Sequence, residues 1–83
     1  MSLDDLFIDA ACKIIKSRGR LPRDKQEQIE VNALALALIK ERDHIPEAQL
    51  VVWASGLTID QKCLLQSNIL RRLGRSLIQE TIN

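Results

Sequence analysis

The sequence predicts a single all-α domain of four helices, and three observations predict it. The chain has 83 residues, which is enough for one domain at the small end of those that fold alone. Apolar residues recur three and four positions apart almost throughout, and no strand-like alternation or internal repeat interrupts them. We therefore expect a compact helical domain over residues 1–83, with helices at about 3–18, 23–43, 46–55 and 59–80.

The first predicted helix carries the apolar stripe of an amphipathic helix that packs on a core. The stripe is formed by Leu3, Leu6, Phe7, Ala10, Ala11, Ile14 and Ile15. Ser2 is a good N-cap, and Gly19 is placed to end the helix. On a helical projection Cys12 lies about opposite this stripe, away from the predicted core.

The second predicted helix is apolar on two faces over its second half. It follows Pro22, a residue that commonly opens a helix. One face is formed by Val31, Leu34, Ala35 and Leu38, and the other by Ile29, Ala33, Leu36 and Ala37. A helix without a polar side must be sandwiched, and two copies of so small a chain would bury it more easily than one. We therefore predict a homodimer that uses the first of these faces as its contact.

The third predicted helix follows a break at Pro46 and is short. We expect Trp53 in the core, because aromatic residues are scarce in this chain. Gly56 is expected to end the helix in the left-handed conformation.

The fourth predicted helix begins with Thr58 and Gln61, which have the spacing of a capping box. The side expected to face the core holds Ile59, Cys63, Ile69, Leu70, Leu73 and Leu77. Gly74 lies on the same stripe, where it either ends the helix early or lets a neighbour approach closely.

The net charge of +1 hides a segregation of charge along the chain. Residues 13–25 and 61–83 are basic, whereas residues 1–12 and 26–60 are acidic. Each basic segment has two interpretations, a contact for nucleic acid or an acidic protein, and a solvated helix end. The candidate contacts are Arg18, Arg20, Arg23, Lys25, Asn68, Arg71, Arg72 and Arg75.

Residues 49–72 have the order of a helix-turn-helix, with a short helix, a glycine turn and a longer capped helix. The match is weak, because Val52 stands where a tight crossing wants a smaller residue and Lys62 where an apolar contact is expected. A helix-loop-helix packing corner is the alternative interpretation.

Catalytic and metal-binding signatures are missing from the sequence. His44 is the only histidine, which excludes paired histidine ligands, and no phosphate loop or nucleophile elbow occurs. Cys12 and Cys63 form no C-x-x-C pair and are expected to be free thiols. We therefore expect no enzyme, metal, cofactor or small-molecule substrate. The N-terminus lacks the pattern of a secretory signal and no apolar run has transmembrane length, so a cytoplasmic protein without membrane contact is predicted.

By exclusion, we expect a small regulatory or adaptor protein that acts by protein–protein interaction as a homodimer. The alternative is a nucleic-acid-binding regulator that uses the Arg-rich side of the last helix.

Overall fold

The computed structural model describes the backbone of residues 2–82 and the side chains of residues 2–74. Within that part of the chain there are four helices and no strand, which confirms the predicted all-α fold. The helices are α1 (Leu3–Arg18), α2 (Lys25–Arg42), α3 (Glu47–Ser55) and α4 (Ile59–Ile82). α4 continues through Gly74, so this glycine does not end the helix early.

Three of the four helices begin after a good N-cap, whereas α3 follows Pro46 without a side-chain cap. Ser2 and Asp24 each accept a hydrogen bond from an N–H of the following first turn, so α2 begins after Asp24 and not at 23. The predicted capping box is confirmed. The Gln61 N–H donates to Thr58 Oγ1 at 3.1 Å, and the Thr58 N–H donates to Gln61 Oε1 at 2.8 Å.

The two helix-ending glycines differ in conformation. Gly19 ends α1 in left-handed backbone with a φ of 79°, as predicted. Gly56 has a φ of −85°, so the left-handed end predicted for α3 is wrong. Its N–H donates to the carbonyls of Val52 and Trp53, which satisfies the end of α3 without a reversal of handedness.

The core forms around α1, which packs against both α2 and α4, while α3 packs mainly on α2. The buried side chains are Phe7, Ile8, Ala10, Ala11, Cys12, Ile15, Val31, Ala35, Ile39, Leu50, Leu65, Ile69 and Leu73. Among the described residues no polar or charged side chain is buried. A helix that is covered from two sides needs a wide apolar arc, and α1 supplies it.

The predicted positions of both cysteines are wrong. Cys12 is buried between α1 and α4, with its Sγ 3.8 Å from the carbonyl oxygen of Ile69, whereas Cys63 is exposed. α1 carries Cys12 on the side that meets α4, a second contact that a single amphipathic stripe does not reveal. α4 in turn buries the stripe of Leu65, Ile69 and Leu73.

The neighbouring stripe of α4, with Ile59, Cys63 and Leu70, stays exposed. Its assignment to the core is therefore wrong for these three residues. The side chain of Leu77, predicted on the same stripe, lies outside the described residues.

Candidate interaction surfaces

The predicted dimer face of α2 is mainly a core face. Val31 and Ala35 have no exposed surface and belong to the core that α2 forms with α1. Leu38 is half-buried against the same core, and Leu34 is exposed. The predicted face is therefore wrong for Val31 and Ala35, because packing inside one chain already covers them. The homodimer itself stays a prediction.

The opposite face of α2 is the one left open. Ile29, Ala33 and Ala37 follow each other at four-residue intervals and are all exposed. Beside them lies a groove of about 430 Å³ between α2 and α3, whose apolar lining is Ala33, Leu36, Ala37, Leu50, Val51 and Ala54. Lys40 and Glu47 also line it and form an ion pair of 3.5 Å. This groove is shaped for aliphatic side chains.

A second groove, of about 460 Å³, is lined by residues of all four helices, with α2 and α4 on either side. α2 and α4 both pack on α1, and the groove lies between these two helices. Phe7 and Trp53 line this groove, their ring centroids 5.5 Å apart and their planes tilted by 50°. Its polar lining residues are Gln28, Asn32, Lys62 and Gln66. An apolar lining with a few polar groups is typical of a site for a partner side chain or helix.

Trp53 is half-buried and packs against the core, which agrees with its predicted core role. Its indole Nε1 donates to Asp4 Oδ1 at 2.8 Å. One end of the ring is thus apolar and the other polar, as is usual for a partly buried tryptophan.

The basic cluster around the first loop is partly neutralised. Arg20 pairs with Glu27 at 2.7 Å, and Arg18 lies 3.9 Å from Glu27 and 3.5 Å from Glu30. Two of the four candidate contacts in this segment are therefore occupied by carboxylates of α2. The sequence alone does not reveal this neutralisation, because Glu27 and Glu30 come near the arginines only through the turn of the chain between α1 and α2.

Arg23 and Lys25, the other candidates of this segment, are exposed and form no ion pair with a described carboxylate. They are the part of the loop cluster that remains open to an anionic partner.

The candidate contacts Asn68, Arg71 and Arg72 are three and four positions apart, which places them on one side of α4. Arg71 and Arg72 are exposed and Asn68 is half-buried, while the side chain of Arg75 lies outside the described residues. Neither arginine pairs with a carboxylate among residues 2–74.

The helix-turn-helix candidate has a short connection but weak packing between its helices. Gly56, Leu57 and Thr58 join α3 to α4, which fits the length of such a turn. α3 nevertheless packs mainly on α2. Val52, expected at the tight crossing, is exposed. Residues 49–72 therefore resemble the packing corner more than a compact DNA-reading unit.

The buried thiol and one carboxylate have shifted ionisation. Burial raises the pKa of Cys12 above its ordinary value of 9.0, and the charges of Arg72 and Lys16 offset only part of that rise. Partial burial raises the pKa of Asp9, but its interactions with Arg42 and Lys13 outweigh this, so the pKa lies below 3.8. Arg42 pairs with Asp9 of α1 at 2.8 Å and thereby links the end of α2 to α1, and it also contacts Asp43 at 2.8 Å.

Among the described residues, no group of His, Cys, Asp or Glu is placed to hold a metal ion. No helix in that part of the chain combines the length and hydrophobicity needed to cross a membrane. Comparison with known proteins found no matching family model, no matching curated protein and no matching solved structure.

Proposed function

We propose that this chain is a small non-enzymatic regulatory or adaptor protein that acts by binding other protein chains, and that it does so as a homodimer. The observation that carries the proposal is the exposure of large apolar side chains on three helices. Ile29 is 57% exposed, Val52 72% and Ile59 79%. Exposed apolar surface favours association with other chains, because its burial releases about 25 cal/mol per Å². The predicted cytoplasmic location stays a prediction.

The grooves beside α2 support a helical partner. An amphipathic helix places apolar side chains at intervals of three and four, which suits a groove between two helices. The α2–α3 groove has small side chains on one wall, Ala33 and Ala37, and allows close approach of such a helix. Lys40 and Glu47 beside it offer one charge of each sign for orientation.

Site-specific photo-crosslinking tests the protein-binding proposal. The full chain carries a photoreactive amino acid at Val51, which lines the α2–α3 groove, and a matched chain carries it at Ser17, which is exposed and outside the apolar faces. In extract of the native host, the Val51 probe is expected to yield a discrete crosslinked protein that the Ser17 probe does not. Ala37→Glu, which places a charge in the α2–α3 groove, is expected to reduce that product. Identical products from both probes, or no product from either, would contradict the proposal.

Nucleic-acid binding is the second candidate, and the exposure of Arg71 and Arg72 outside the described ion pairs favours it. Fluorescence anisotropy with mixed-sequence duplex DNA and single-stranded RNA, at low and near-physiological salt, tests it. Under this candidate, changing Arg71, Arg72 and Arg75 to alanine reduces the affinity and its salt dependence, while Arg18→Ala, which removes an already paired arginine, has little effect. Absence of binding at low salt removes this candidate.

A further inference from the structure

The exposed stripe of α4 has the spacing of a helix-pairing seam. Ile59, Cys63, Gln66 and Leu70 follow at intervals of four, three and four, which is the alternation of the first and fourth positions of a heptad. Ile59 is 79% and Leu70 52% exposed, and Cys63 is exposed between them. The core uses the neighbouring stripe of Leu65, Ile69 and Leu73 instead. Ile59, Cys63 and Leu70 therefore form apolar surface that packing within the chain does not use, with the polar, half-buried Gln66 between them.

Gly74 lies one turn beyond Leu70, close to the same seam. Glycine weakens a helix interior, so its presence there calls for a reason. A Cβ built at this position meets no atom within 4 Å among the described residues. Packing within this part of the chain therefore does not require a glycine, whereas close approach of another helix would.

Two opposite charges lie on one flank of the seam. Asp60 and Arg71 are eleven residues apart, which is close to three full turns, so they lie nearly above one another on α4. In an antiparallel pair of identical helices, the same flank of each helix meets its own copy. With the two-fold axis near Gln66, Asp60 then meets Arg71 of the partner subunit, and the contact occurs twice.

The same register matches the apolar positions. It sets Cys63 against Leu70 of the partner subunit and Ile59 against Gly74 of the partner subunit. The alignment of these apolar pairs differs by only about 3 Å along the helix axis from the alignment of Asp60 with Arg71 of the partner subunit. The large side chain of Ile59 thus meets a glycine, which has no side chain. A parallel pair would instead set Ile59 against its own copy and Gly74 against its own copy, which leaves a gap at one level.

From the seam spacing, the position of Gly74 and the charge complementarity, we infer that a second copy of this chain docks antiparallel on α4 along Ile59, Cys63 and Leu70. This inference rests on the proposed function, of which it names the homodimer contact. It replaces Val31 and Ala35, which lie in the core, with residues that are exposed.

Disulfide trapping of the full chain tests the orientation. In L70C, oxidation is expected to link Cys63 of one copy to the introduced cysteine of the other and trap a dimer, while wild type gives little crosslinked product. Two positions seven apart on one helix are about 10 Å apart, too far for a disulfide within the chain. The control C63S/L70C should lose the trapped dimer. Efficient trapping of wild type through Cys63, or no trapping of L70C, overturns the antiparallel contact.

A charge exchange provides the second measurement. D60R and R71D are each expected to weaken dimerisation about tenfold or more, and D60R/R71D to recover most of the wild-type affinity. R23D, an equal change of charge away from the seam, should leave the dimer intact, and circular dichroism verifies that each variant folds. Failure of the double variant to recover any affinity contradicts the inferred charge pair.

The outcomes separate this inference from the proposal beneath it. A wild-type dimer that L70C does not trap and the charge exchange does not restore overturns the α4 contact and leaves the homodimer proposal standing. A monomeric wild-type chain overturns both. Photo-crosslinking at Val51 reports on other protein partners independently of either result.

Discussion

The indole Nε1 of Trp53 donates a hydrogen bond of 2.8 Å to Asp4 Oδ1 and joins α3 to the first turn of α1. The same ring lies 5.5 Å from the ring of Phe7 in α1. α3 otherwise packs mainly on α2, and these contacts of Trp53 hold it against α1 as well.

Trp53→Ala is expected to destabilise the fold by about 2 to 4 kcal/mol, because it removes a large half-buried ring that packs on Phe7. Asp4→Asn, which weakens only the exposed hydrogen bond, should cost about 0.5 to 1 kcal/mol. Urea unfolding followed by far-ultraviolet circular dichroism measures both. A Trp53→Ala chain as stable as wild type would contradict the role of this residue in fixing α3.

Asp9 is expected to stabilise the fold in a pH-dependent way. Its pKa in the folded chain lies below its ordinary value of 3.8, because the effects of Arg42 and Lys13 outweigh that of burial. A carboxylate whose pKa is lower in the folded chain stabilises the fold at every pH above its unfolded pKa. This contribution is lost as the pH falls through the folded pKa. Asp9→Asn should therefore cost roughly 0.5 kcal/mol at neutral pH, a small effect because the carboxylate is 36% exposed.

Urea unfolding across the acidic range measures this dependence. The stability difference between wild type and Asp9→Asn should shrink as the pH drops below 3.8. Glu41→Gln, an exposed carboxylate outside the described ion pairs, is the matched control. A difference that grows toward low pH would show that the assigned sign of the shift is wrong.

The two thiols are expected to differ in reactivity. Cys63 is exposed, whereas Cys12 is buried and its pKa is raised by that burial, so less of it is thiolate at mildly alkaline pH. Alkylation with iodoacetamide, followed by mass spectrometry, should modify Cys63 first and Cys12 only on unfolding. Cys63→Ser should leave the folded chain nearly unreactive. Equal rates for the two thiols would contradict the burial of Cys12.

Two glycine substitutions are expected to have opposite effects on stability. Gly19→Ala should destabilise the fold by about 1 kcal/mol, because its φ of 79° strains any residue with a Cβ. Gly74→Ala should stabilise α4 by up to about 1 kcal/mol in dilute protein, since its backbone is helical and the position is open. Thermal unfolding of both variants measures the difference. If both changes destabilise, internal packing at Gly74 has been underestimated.

The helices themselves could be predicted because their signals are local. Ser2 and Thr58 mark helix starts through hydrogen bonds with the next few residues, and Gly19 marks an end. Gly56 shows the limit of such signals. A glycine permits left-handed backbone but does not require it, and hydrogen bonds to the preceding turn satisfied this helix end instead.

The side that each helix turns inward could not be predicted with the same success. α4 offers two neighbouring apolar stripes, one with Leu65 and Ile69 and one with Ile59 and Cys63, and both satisfy a helical period. Which of them is buried depends on where α1 lies, and that is a tertiary relationship. Arg20 illustrates the same limit for charge, because its pairing with Glu27 depends on the path of the loop between them.

We propose above all that this chain works as a homodimer with protein-binding helix faces. Multi-angle light scattering of the purified chain at tens of micromolar tests this most directly. We expect a mass twice that of the 9.4 kDa chain. D60R should shift that mass toward the monomer, while R23D should not. A wild-type chain that stays at the monomer mass over the whole concentration range would contradict the claim.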